Sequence, residues 1–152
     1  MSISARRGKR PPTCAGSATI AEPAVAVVDA SALAALLFGE PEAEAVAKRL
    51  TGLRLVAPTL LRYEVASVYL KKRRRHGDRQ AELETMLRLY PEMRIEEVQV
   101  DAHEAAILAE ERGLTAYDAA YLWLARRLRA ALVTLDERLA RNRDPRTGVP
   151  PS

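Results

Sequence analysis

Four carboxylates stand where packing alone does not ask for them. Asp29 ends the apolar run Val25-Ala26-Val27-Val28, and Asp136 follows Ala131-Leu132-Val133-Thr134-Leu135. Short valine-rich runs read as buried strands. In parallel α/β sheets, ligands bind outside the carboxyl ends of strands, which is where both aspartates fall. Glu64 and Asp118 sit inside helical patterns instead. Counted from Leu60 at roughly 100° per residue, Glu64, Val68 and Leu61 lie at about 40°, 80° and 100°, with Arg62 and Tyr69 on the opposite side. Counted from Thr115, Asp118 lies at about 300°, between Tyr121 and Leu122 and beside Ala125. A carboxylate turned toward a core costs several kcal/mol unless it is paired or binds a metal.

Each acid taken singly has a simpler reading. Asp29 and Asp136 fit helix N-caps, and Thr115-Ala116-Tyr117-Asp118 resembles a capping box. Glu64 fits a rim glutamate reaching water or an arginine partner. As a set they carry more, because a doubly wound sheet can bring all four to one edge. Two carboxylates about 4 Å apart repel by roughly 4 kcal/mol at an effective dielectric of about 20, so such a cluster needs a cation. Oxygen-only ligands suit Mg²⁺ or Mn²⁺. Those ions polarise phosphoryl oxygens and generate hydroxide from water, which makes a phosphodiester the natural substrate. No Ser-His-Asp or Cys-His arrangement competes, and no glycine-rich phosphate loop is present.

The elements that must position these acids alternate. Strands are expected at residues 25–28, 54–57, 95–100 and 131–134. Helices are expected at 31–38, from Pro41 to the Gly52 stop, at 58–75, 78–90, 102–112 and 115–128, with a short last one from Asp136. Asp101 and Gly113 punctuate the fifth of these. Strands separated by helices imply crossovers and a parallel sheet covered on both faces.

At 152 residues, 48% of them hydrophobic, the chain fits one domain with a real core. Its net charge of +4 permits a polyanionic partner. Cys14 is the only cysteine, which excludes an internal disulfide or a cysteine-rich zinc site and fits a reducing, cytoplasmic setting. With only His76 and His103, a histidine-rich metal site is also excluded. No apolar run approaches a membrane span, and no apolar segment follows Arg6, Arg7, Lys9 and Arg10 to make a secretory signal. Residues 1–23 read as a disordered basic extension, 24–142 as the folded domain and 143–152 as a frayed tail.

Four segments in order then resemble the PIN-domain ribonucleases, and among them the VapC toxins of toxin–antitoxin pairs. They are Val27-Val28-Asp29-Ala30-Ser31, Leu61-Arg62-Tyr63-Glu64-Val65-Ala66, Leu114-Thr115-Ala116-Tyr117-Asp118-Ala119-Ala120-Tyr121-Leu122 and Leu132-Val133-Thr134-Leu135-Asp136-Glu137-Arg138-Leu139. The resemblance implies that Asp29, Glu64, Asp118 and Asp136 hold Mg²⁺ or Mn²⁺. Thr134 matches a hydroxyl position before the last acid, and Ser31 a small polar position after the first. It further implies a three-layer α/β/α fold with four to five strands, cleavage of single-stranded or structured RNA, a homodimer, and inhibition by a VapB-like antitoxin. Two features depart from the family pattern: a long basic extension before Val25, and no clear last strand in residues 141–152.

On this reading Asp29, Asp118 and Asp136 hold the metal, and Glu64 binds it or orients the attacking water. The run Lys71-Lys72-Arg73-Arg74-Arg75 is a candidate for RNA phosphates, or else a solvated helix end that suits the dipole. An apolar groove between the helices of residues 31–50 and 58–69 would suit an antitoxin helix, unless that surface is simply core. Two other readings compete. A phosphoryl-accepting receiver domain wants paired acids after the first strand and a late lysine, and this chain has Asp29-Ala30 and no lysine after Lys72. A non-catalytic nucleic-acid or protein-binding module would leave the acids as caps and rim residues.

Overall fold

The computed structural model describes residues 22–145. The expected basic extension up to residue 21, Cys14, and the tail from residue 146 onward lie outside the described residues. Four parallel strands form one sheet in the order β3-β2-β1-β4. β1 (Val25–Val28) is central and pairs with both β2 (Arg54–Pro58) and β4 (Ala131–Val133), with Val27 opposite Val56 on one side and Leu132 on the other. Its residues Ala26, Val27 and Val28 are wholly buried, as a valine-rich strand covered on both faces should be. β3 (Glu96–Val98) is an edge strand paired only with β2, which explains its two glutamates.

Helices flank the sheet. α1 (Ala30–Leu37) packs against α2 (Ala43–Leu50) and α3 (Leu61–Arg75), while α6 (Ala116–Leu128) lies on β1, β2 and β4 with α5 (Ala102–Arg112) along its outside. α4 (Gln80–Arg88) folds back on α3, and α7 (Glu137–Arg141) follows β4. α5 ends at Gly113, whose φ of 62° is the left-handed conformation that stops a helix.

Several boundaries differ from the sequence expectation, and the second helix begins at Ala43 rather than Pro41. The long helix begins at Leu61 rather than Pro58, because Pro58 extends β2 and pairs with Val98. Proline also holds the preceding Ala57 in extended backbone. The helix expected over 78–90 is instead a 3₁₀ turn at Gly77–Arg79, α4, and a second 3₁₀ turn at Tyr90–Met93, where Pro91 blocks continuation. The third strand is confined to Glu96–Val98, since it has one neighbour only. Four strands are present among the described residues, and no fifth.

The buried face of α3 is also rotated from the expected arc. Leu61, Val65 and Tyr69 are its buried residues, so Tyr69 faces inward rather than outward. Glu64 is therefore at the margin of the buried stripe, half-buried, and not at its centre. Arg62 does point out, and pairs with Glu97.

Candidate active site

Asp29 leaves the carboxyl end of β1, where its backbone N–H donates to Val133 O at 3.1 Å and ties it to β4. Its side chain caps α1, with Oδ1 accepting from Ala32 N at 3.0 Å and from Ser31 Oγ at 2.7 Å. Oδ2 accepts from Thr134 Oγ1 at 2.5 Å. Thr134 Oγ1 in turn accepts from Asp136 N at 3.0 Å, and Ser31 Oγ from Leu135 N at 2.9 Å. Two hydroxyls thus give their protons to one carboxylate and accept from the loop that carries the next acid. Asp136 caps α7 through Oδ1, which accepts from Leu139 N at 2.9 Å. The N-cap reading of both aspartates holds, and it coexists with their convergence at the edge of the sheet.

Glu64 and Asp118 come from helices. Glu64 Oε2 accepts a short hydrogen bond from the phenol of Tyr121, a side chain only 1% exposed. Asp118 is half-buried, and its backbone N–H donates to Thr115 Oγ1 at 3.1 Å, so the N-cap expected from sequence also forms. Tyr121, one turn beyond Asp118, is the site residue that sequence reasoning passed over. The available signal was a tyrosine on a buried helix face, whose hydroxyl requires a partner.

The electrostatics link all four acids. Burial raises the Asp29 carboxyl above its ordinary range, against the lowering effect of its three hydrogen bonds, and Asp136 adds to the rise. Burial likewise raises Glu64, opposed by the Tyr121 hydrogen bond and reinforced by the charges of Asp118 and Asp29. The Tyr121 phenol is pushed far up by burial and by Glu64. Among the described residues, none of the four acids has an ion-pair partner. Arg49 feels the field of Asp29 but makes no ion pair with it.

This donor set fits a hard divalent cation: it is made of oxygens, it is negative in excess, and no lysine or arginine among the described residues neutralises it by an ion pair. No three carboxylates among the described residues are already gathered tightly enough to define one metal position. The set therefore specifies a charge and a ligand chemistry rather than a finished coordination sphere.

The basic run is divided by its contacts. Lys72 is held by Glu40 at 2.5 Å and lies 5.8 Å above the Phe38 ring, so it belongs to the α1–α3 contact. Arg73 reaches Gln80 at 3.4 Å. Arg74 and Arg75 are exposed at the end of α3, and Lys71 borders a cleft beside the acids. That cleft, of about 580 Å³, lies between the first residues of α1, one face of α3 and Tyr117 at the start of α6. Its lining is largely apolar, with Ala30, Leu60, Tyr63, Val68 and Tyr117, and Ser31, Glu64, Ser67 and Lys71 add polar groups to it. The apolar residues of α1 and α2 that suggested a groove, including Leu33, Leu37 and Val46, are core.

Comparison with known proteins gives concordant results. A family model described as PIN domain matches residues 26–145. Ribonuclease VapC3 of Pyrobaculum aerophilum is 35% identical over 119 residues, spanning 75% of this chain and 91% of the relative. The crystal structure of PAE2754, also from Pyrobaculum aerophilum, is similar with a TM-score of 0.65 and 27% identity, covering 80% of this chain and 86% of that one.

Proposed function

The chain belongs to the VapC-type PIN-domain ribonucleases, and on that premise we propose that it is a metal-dependent endoribonuclease, the toxin of a toxin–antitoxin pair. One observation carries the reading. Four acids linked by their fields lie around the carboxyl end of the sheet, with no ion-pair partner among the described residues.

In this reading Asp29, Asp118 and Asp136 hold Mg²⁺ or Mn²⁺. The bound ion supplies Lewis acidity toward a phosphoryl oxygen and lowers the pKa of water. Asp29 is the fixed member, since Ser31, Thr134 and the Ala32 amide leave its carboxylate one orientation. Asp118 and Asp136 add negative oxygens from the other two elements. Glu64 is tethered at Oε2 by Tyr121, and its raised proton affinity suits Oε1 to orient the attacking water and take its proton. The products are linear ends, since water rather than the ribose 2′-hydroxyl attacks.

The partners that go with this function are an RNA substrate, a cognate VapB-like antitoxin and a second copy of the chain. No helix among the described residues is long and apolar enough to cross a membrane. The test is incubation with single-stranded RNA and Mg²⁺, followed by end-group analysis. Linear phosphate ends are expected. Fragments ending in 2′,3′-cyclic phosphate would contradict the water-attack mechanism, and intact RNA would contradict the nuclease assignment.

A further inference from the structure

Each acid that a helix delivers to the site follows a tyrosine: Tyr63 precedes Glu64, and Tyr117 precedes Asp118. Both rings are on the surface, at 72% and 65% exposure, and they are the two most exposed large hydrophobic side chains among the described residues. Neither hydroxyl has a hydrogen-bond partner there. The core does not need these rings, and the acids do not use them. Both border the same cleft of about 580 Å³, which also contains Ser31 and Glu64. That volume lies within the roughly 300–1,000 Å³ range of small-molecule sites.

The cleft wall on α3 is ordered along the helix. Tyr63, Ser67 and Lys71 recur every fourth residue, so they share one face, and all three line the cleft. An aromatic ring, a hydroxyl and an ammonium therefore lead away from Glu64 in that order. Lys71 has no ion-pair partner among the described residues, unlike its neighbour Lys72. Aromatic faces bind bases by stacking, which requires the base to be free of its own stack, and an ammonium beside them attracts the phosphate backbone.

We propose that Tyr63 and Tyr117 hold an unpaired base next to the scissile phosphate, with Lys71 on a neighbouring phosphate, so that the site selects unstacked nucleotides. This rests on the nuclease reading above. Tyr63 reaches the base from α3 and Tyr117 from the start of α6, which places the acids that follow them on the adjoining phosphate. The two tyrosines are specificity residues and take no part in the chemical step.

Cleavage kinetics in Mg²⁺ test this with the full chain, using a single-stranded RNA carrying 2-aminopurine and the same sequence closed in a duplex. Tyr63→Ala and Tyr117→Ala should each raise KM for the single strand roughly ten-fold, in line with the loss of one stacked base. Both should also weaken the quenching of 2-aminopurine, and the preference for single strand over duplex should shrink. Tyr63→Phe and Tyr117→Phe should retain KM and quenching, because the ring face is kept. Lys71→Ala should weaken binding and reduce the salt dependence by about one phosphate contact. Unchanged KM in both alanine variants would overturn the inference while leaving the nuclease reading intact, as would a wild type that cleaves duplex and single strand equally. Loss of inhibition by a co-expressed antitoxin, with RNA kinetics unchanged, would assign the tyrosines to a protein contact instead. A wild type that cleaves no RNA would remove both readings together.

Discussion

Thr134→Val isolates the hydroxyl on which the first acid depends. Thr134 is 4% exposed, so valine fills the same space without the oxygen. The hydroxyl donates to Asp29 Oδ2 at 2.5 Å and accepts from Asp136 N at 3.0 Å. A hydrogen bond to a charged group contributes about 1.5–3 kcal/mol and a neutral one about 0.5–1.5 kcal/mol. Their combined loss is expected to destabilise the protein by about 2–4 kcal/mol, measured by urea unfolding at pH 7.5 in chelator. The pH dependence follows from the state of Asp29. Its carboxyl is raised above 3.8 in the folded protein, and the Thr134 bond is one of the effects holding it down. The bond matters most when Asp29 is ionised, so the destabilisation should be largest at neutral pH and should shrink as pH falls through the folded value toward 3.8. Ser31→Ala, which removes the other hydroxyl proton from Asp29, should show the same trend. A Thr134→Val protein within about 0.5 kcal/mol of wild type at pH 7.5, with no pH trend, would refute the claim that this hydroxyl holds an ionised carboxylate.

Other expectations concern the remaining groups. Since burial raises both Asp29 and Glu64, ionising them disfavours folding, so metal-free protein should lose stability as pH rises from about 4 through their folded values. Adding Mg²⁺ or Mn²⁺ should raise Tm at pH 7.5 and do so less at pH 5, and Asp29→Asn should flatten both responses. Tyr121→Phe removes a hydrogen bond that lowers the Glu64 carboxyl, so the acid limb of the cleavage pH profile should move to higher pH, with kcat reduced several-fold and KM little changed. Gly113→Ala meets no atom within 4 Å but forces a side chain into φ 62°, so unfolding should become easier by roughly 1–2 kcal/mol with cleavage unaffected.

The parallel sheet and its order of elements were legible because the strand runs, caps and glycine stops agree locally with the global fold. Asp29 and Asp136 were legible as acids at strand ends for the same reason. Glu64 was singled out by an arc that proved rotated, since the core of α3 follows Leu61, Val65 and Tyr69. What single-helix geometry cannot express is contact between distant segments. The Thr134 hydroxyl meets Asp29 only because β1 and β4 are neighbours in the sheet, whereas Ser31 is only two residues away in the chain. The Tyr121 phenol meets Glu64 only because α6 and α3 approach the same edge. Lys72 looked available for RNA because its partner Glu40 lies across the α1–α3 contact. Pro91, one residue past the helix expected over residues 78–90, disfavours α-helical backbone at Tyr90, and α4 ends at Arg88.

We propose that the four acids act as one metal-binding catalytic unit. The most direct measurement of this is RNA cleavage titrated with Mg²⁺ and with Mn²⁺, for wild type, Asp29→Asn and Asp118→Asn, with each variant shown to be folded. Cleavage that requires the ion and is lost in both folded variants is the expected result. Cleavage that persists in chelator, or that survives in either variant at wild-type rate, would contradict it.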